Sequence, residues 1–149
     1  MTSSGNEDFE ARMRASFARQ RVMQTLGAAI VRVVPGEVEL LMPFAPEFTQ
    51  QHGFLHAGTL ASVLDSACGY AAFTLMPPEA AVLTIEFKAN FLAPARGESF
   101  LFLGKAVKPG RTITFCEAQA FACEGSSKKL ISTMTATVMT VTGRAGIEQ

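Results

Sequence analysis

The sequence predicts an α+β fold in which one long apolar helix is clasped by a curved antiparallel sheet, with an amphipathic helix in front. Three observations predict it. The stretch from Ala57 to Leu75 contains no proline and is rich in alanine and leucine, the composition of a packed helix. Downstream run four strand-like segments whose short connections force antiparallel neighbours. A twelve-residue strand spans ~40 Å, whereas a chain of this length has a radius of gyration of only ~15 Å. The strands must therefore bend, and the long helix is the natural object for them to wrap.

The elements follow in order. Residues 1–7 are polar and expected to fray. From Asp8 to Leu26, Phe9, Met13 and Phe17 recur at four-residue spacing, with Arg12, Arg14, Arg19 and Arg21 between them. This predicts one amphipathic helix stopped by Gly27, its arginines forming a solvated face. Ala28–Val34 and Glu37–Met42 are β-rich runs joined by Pro35-Gly36, a hairpin signal. Pro43 and Pro46 break the pattern, and Phe48–His56 reads as a loop. On the long helix, 100° per residue gathers Leu60, Val63, Leu64, Ala67, Ala71 and Leu75 on one broad face. The other side holds Gly58, Ala61, Ser62, Gly69 and Ala72 around a single carboxylate, Asp65. After Pro77-Pro78 come the strands Ala80–Leu92, Ser99–Val107, Arg111–Cys123 and Lys129–Val141. The segment 143–149 is small and polar and expected to be flexible. No repeat or low-complexity tract divides the chain, so residues 1–149 read as one domain.

Composition narrows the function. The 149 residues carry 13 Lys plus Arg against 13 Asp plus Glu, for a net charge of zero, and only 17% are charged. So few, balanced charges exclude a disordered tail and a basic nucleic-acid binder. No apolar run reaches the ~20 residues that span a bilayer, and residues 1–21 lack the apolar core of a secretory signal. A surface this poor in charge is sticky unless covered, which points to a homo-oligomer. Cys68, Cys116 and Cys123 cannot all pair and show no metal-ligand spacing, so they read as small buried hydrophobes in a reducing cytoplasm, with no metal site expected.

The titratable chemistry is concentrated. Only two aspartates exist, Asp8 and Asp65, and both histidines, His52 and His56, lie within fourteen residues of Asp65. Asp65 either faces solvent or, partly buried among small neighbours, acts as a general base toward water or as a nucleophile. His56 arrives at the start of the long helix, where free N–H groups and the positive dipole end point outward. It either caps the helix or stands beside an oxyanion site made by the N–H groups of Ala57 and Gly58.

The run His56-Ala57-Gly58 followed by Leu60, Leu64 and Asp65 resembles the HGG-x6-D signature of hotdog-fold acyl-CoA thioesterases, and within them the phenylacetate-pathway (PaaI-like) group. The resemblance extends over "LGAAIVRVVPGEVELLMPF", "IEFKANFLAPARGE", the Lys108-Pro109-Gly110-Arg111 turn and the Thr-rich last strand. It implies a helix wrapped by a five- or six-stranded antiparallel sheet. It also implies protomers pairing edge to edge into a homodimer or homotetramer, with the active site at the dimer interface. There the helix carboxylate comes from one protomer and the His-Gly loop from the other.

By this resemblance Asp65 attacks the thioester or activates water, the N–H groups of Ala57 and Gly58 polarise its carbonyl, and His56 orients it. Gln50 stands where many members have Asn, and Thr84 where some relatives have a Ser that positions water. The sequence departs from the signature at Ala57, which replaces its first Gly. Phe54, Tyr70 and Phe73 are expected to shape the acyl pocket. Between Lys88 and Lys129 seven cations face three acids, an excess suited to the coenzyme A phosphates, with Arg111 as the leading contact. No cofactor is implied. The same fold also hosts acyl-CoA dehydratases and hydratases, and a non-catalytic acyl-CoA-binding module would share it too.

Overall fold

The computed structural model describes residues 3–149, with side chains from Asp8 onward. Helix α1 (Ser3–Phe17) and helix α2 (Arg21–Leu26) precede strands β1 (Ala29–Val34) and β2 (Glu37–Pro43). The long helix α3 (Ala57–Phe73) is followed by β3 (Ala81–Phe91), β4 (Ser99–Lys108), β5 (Ile113–Glu124) and β6 (Ser127–Val141). The six strands form one antiparallel sheet in the order β1-β2-β4-β5-β6-β3. Five of them, β2 to β6, contact α3, so the sheet wraps the helix as predicted.

Close packing of α3 on the sheet depends on Gly104 in β4. A Cβ there would lie 2.2 Å from the carbonyl oxygen of Ala67, so only glycine lets the helix backbone come this near. Val63, Leu64, Ala67, Cys68 and Ala71 of the helix are wholly buried, as are Phe100 and Phe102 of β4. This is the apolar core the alternating strands supply.

Three predicted elements differ in detail. The single helix over 8–26 is two. Helix α1 starts at Ser3 and is closed by bonds from Arg19 N–H to the Ser16 carbonyl and Gln20 N–H to that of Phe17, both 3.0 Å. Gln20 then turns extended, and α2 starts afresh before Gly27 stops it. The arginines of this region are not simply a solvated face. The Arg12 guanidinium sits 5.2 Å above the Phe73 ring, and Arg14 donates to the Ile30 carbonyl at 2.9 Å while pairing with Glu10. Helix α3 ends at Phe73, not Leu75, because the Thr74 hydroxyl turns back to the Ala71 carbonyl at 2.6 Å and accepts the Gly36 N–H at 2.7 Å. Leu75, expected on the apolar face, is 45% exposed. Residues 3–7, expected to fray, are helical in backbone, and Met1 and Thr2 lie outside the described residues.

Strand β3 is the sheet's open edge on one side and carries a bulge at Ile85, between the Thr84–Val138 and Glu86–Thr137 pairs. Its large apolar side chains stay uncovered: Ile85 is 52% exposed, Phe87 46% and Phe91 47%.

Candidate functional site

Asp65 lies on the third turn of α3, where Ala61, Ser62 and Gly69 add little bulk around it. It is half-buried, and it faces β3. The Thr84 hydroxyl donates to its Oδ1 at 2.7 Å. The pairing places together two residues that lie nineteen apart in sequence, with Thr84 beside the β3 bulge. Burial pushes the Asp65 carboxyl up from its ordinary value of 3.8, and the Thr84 bond opposes that only in part. The result is a carboxylate more basic than usual, with Oδ2 left for chemistry.

A recess of about 310 Å³ opens at this point, lined by Asp65 and Thr84 together with Gln20, Ser66, Tyr70 and Gln149. Gln20 is there because the helix breaks between α1 and α2, and its Oε1 accepts from the Ser66 hydroxyl at 3.0 Å. Neither Gln20 nor Gln149 stands out in the sequence. Tyr70, expected in the acyl pocket, does line this recess; its hydroxyl pairs with Ser16 at 2.9 Å, and its ring packs edge-on against Phe17. Phe73 does not. It is buried in the core beneath Arg12, edge-on to Tyr70.

The His56 loop is built at the other end of α3. Thr49 bridges to Leu55, the His56 N–H donates to the Phe48 carbonyl at 2.9 Å, and the Leu55 N–H donates to that of Ala95 at 3.1 Å. The Gln50 Oε1 accepts the N–H groups of His52 and Phe54 within this turn, so Gln50 shapes the loop. A second recess, of about 330 Å³, is lined by Gln50, Phe54, His56, Ala57, Leu60 and Phe91, among others.

His56 is the N-cap of α3: its Nδ1 accepts the Gly58 N–H at 2.8 Å. Both readings of this residue are therefore in play, and the cap changes the oxyanion expectation. The Gly58 N–H is engaged by the ring, while the Ala57 N–H has no acceptor among the described residues. Ala57 is the free donor and Gly58 is not. With Nδ1 accepting, the neutral ring carries its proton on Nε2, so His56 presents a second donor outward.

Within one chain the two groups do not meet. His56 and Asp65 lie nine positions apart along α3, a rise of about 13 Å, and each lines its own recess. The cations do not form one rim either. Arg111 sits with Arg144 in a third recess away from both. Lys105 reaches Glu37 on the outer face of the sheet, and Lys128 lies over Phe121. Arg96 is the one that stacks beside the His56 loop, 5.0 Å above Phe54. Cys68 and Cys116 are buried, and burial pushes both thiols up, Cys116 to about 12, so neither is a nucleophile. No helix among the described residues is long and apolar enough to cross a membrane.

Residues 52–128, which span the loop, α3 and β3 to β5, match the family model of the thioesterase superfamily. A thioesterase family protein from Silicibacter pomeroyi is 58% identical in sequence; its crystal structure covers 91% of this chain and 99% of its own, with a TM-score of 0.89. The Saccharolobus solfataricus protein named "Putative esterase SSO2140" is 30% identical over 70% of this chain and 74% of its own. The E. coli PaaI protein of the phenylacetic acid degradation operon shares the fold at 16% identity, covering 92% of this chain and 96% of its own, with a TM-score of 0.82. These likenesses favour hydrolysis over the hydratase and binding-module alternatives. The chain belongs to the thioesterase superfamily, a thioester hydrolase of hotdog fold.

Proposed function

We propose that this protein hydrolyses an acyl-CoA thioester to the free acid and coenzyme A, in a site completed by two copies of the chain. The observation that carries it is Asp65: a half-buried carboxylate of raised basicity, held by Thr84 at the mouth of a recess, on an otherwise small-residue helix face.

The second copy follows from where the parts lie. The start of β3 carries Thr84 beside Asp65, and its end carries Phe91 beside the His56 loop. Two β3 edges pairing antiparallel about a two-fold axis near Phe87 set the start of one strand against the end of the other. That brings the partner's His56 to Asp65, which a single chain cannot do. The same pairing covers Ile85, Phe87 and Phe91 and satisfies the open edge.

In this arrangement the thioester carbonyl lies between the two protomers. The Ala57 N–H and the His56 Nε2–H of one chain hold its oxygen. Asp65 Oδ2 of the other takes a proton from water as that water adds to the carbonyl carbon. Collapse of the tetrahedral intermediate breaks the C–S bond, and the proton held by Asp65 passes to the departing thiolate, which restores the carboxylate. We assign a coenzyme A phosphate contact to Arg96 rather than Arg111, because Arg96 stacks on Phe54 beside the His56 loop.

A panel of acyl-CoA substrates assayed by thiol release tests the proposal. Asp65→Ala is expected to abolish release while the oligomer persists. Undiminished turnover by that variant of every thioester the protein cleaves would overturn it.

A further inference from the structure

The segment after β6 folds back onto the site. Val141 ends β6 opposite Ala81. Beyond it Gly143 and Gly146 adopt φ of 64° and 79°, and the Ile147 N–H closes a turn on the Arg144 carbonyl at 3.2 Å. This reversal carries Gln149 to the open edge of β3. The Thr140 N–H points to the β5 side of β6, where it donates at 2.8 Å to the carbonyl of Thr112, the residue before β5, so its cross-strand neighbour Val82 directs its own N–H away from β6. Gln149 Oε1 accepts that N–H at 3.1 Å, and its Nε2 donates to the Tyr70 hydroxyl at 3.4 Å.

One side chain therefore bridges β3 and α3 across the recess that begins at Asp65. Val82 is two strand residues from Thr84, and Tyr70 is five helix residues from Asp65. Both separations come to about 7 Å. Gln149 thus closes the recess about 7 Å beyond the reactive pair. The coenzyme must leave toward solvent, so an acyl group whose carbonyl sits at Asp65 extends toward this wall. The 310 Å³ available holds roughly ten water-sized groups.

We propose that Gln149, carried back by the turn after β6, forms the wall that limits acyl depth and is the specificity-determining residue, so that the protein takes short acyl groups and rejects long ones. This rests on the acyl-CoA reading above. Gln149→Ala removes the bridge and deepens the recess by several heavy atoms, whereas Gln149→Met keeps the bulk and loses only the hydrogen bonds.

The test measures kcat/KM over saturated acyl-CoAs from two to twelve carbons for the unsubstituted protein and both variants. The same series is titrated for binding in proteins that also carry Asp65→Asn. Each additional buried methylene is worth about fourfold, so room for two should raise the long-to-short ratio about sixteenfold in Gln149→Ala. Gln149→Met should keep the original profile. A loosened fold would lower all substrates in parallel, so an unchanged ratio in Gln149→Ala overturns the wall. If no acyl-CoA is hydrolysed, the function proposed above falls instead, and the chain-length dependence of binding still decides the wall, an unchanged one overturning it.

Discussion

The contact between Thr84 and Asp65 makes a quantitative prediction. At 2.7 Å it has the length of a hydroxyl donating to an ionised carboxylate. Such bonds contribute ~1.5–3 kcal/mol; Thr84 is exposed, so water replaces part of that when the hydroxyl is removed, leaving about 1–1.5 kcal/mol. One pKa unit corresponds to ~1.4 kcal/mol. Thr84→Val keeps the side-chain shape and deletes only the donor. The Asp65 carboxyl, already raised by burial, should therefore rise further. If Asp65 works as a base, kcat/KM for thiol release increases with pH through this ionisation, and the acid limb of the profile moves to higher pH. Thr84→Ser, which restores the donor, should return the limb to its original position. A limb that stays in place in Thr84→Val, or moves down, refutes the role of Asp65 as the ionising base.

Four further outcomes follow from the same geometry. Asp65→Asn should be more resistant to heat than the parent at pH 7: a carboxyl raised on folding costs stability as pH climbs from 3.8 through its folded value, so the advantage should vanish as pH falls toward 3.8. Gly104→Ala pushes a methyl into the Ala67 carbonyl and should cost about 2–3 kcal/mol, roughly 5–10 °C of Tm by calorimetry. Ile85→Lys on the open β3 edge should convert the proposed dimer to monomer by light scattering and lose activity with it. A single turnover in ¹⁸O-labelled water should label the released acid if Asp65 acts as a base, and Asp65 itself remains unlabelled; label appearing in Asp65 would make it the nucleophile.

Much of this architecture is legible in the sequence because it rests on local signals. The Pro35-Gly36 hairpin, the proline-free helix and the alternating last strand each announce themselves within a dozen residues. Asp65 stands out for the same reason, as a lone carboxylate among glycine, alanine and serine. What the sequence withholds depends on contacts between distant elements. The break at Gln20 replaces what reads as an unbroken amphipathic period, and only the fold shows that it delivers a side chain to Ser66. The donor choice at the start of α3 is also hidden, because it turns on which way the His56 ring folds back. Phe73 was indistinguishable from Tyr70 by composition, yet three residues along a helix separate a recess wall from the core. Arg111 belongs to a positive stretch of sequence that the sheet distributes over several faces.

The two-copy site proposed above answers a division of α3 between stability and chemistry. One face of the helix must be apolar and small to fit against Gly104 and the sheet. The helix N-terminus supplies the polarised donor and the middle supplies the carboxylate, and a straight helix holds these about 13 Å apart. Bending α3 to join them would open the core. In the proposed dimer the uncovered β3 edge would solve the problem from outside, because antiparallel pairing of that edge would exchange the two ends of the helix between chains. On this argument the exposed Ile85 and Phe87 are part of the catalytic design, and a monomer that retains its fold, its Asp65 and its His56 should still be inactive. Mixing an Asp65→Asn chain with a His56→Ala chain offers the decisive case. In a mixed dimer one of the two sites combines an intact Asp65 with an intact His56 while the other holds both defects. Activity should therefore recover on mixing two proteins that are each impaired alone, and failure to recover in a demonstrated heterodimer would place both residues in the same chain's site.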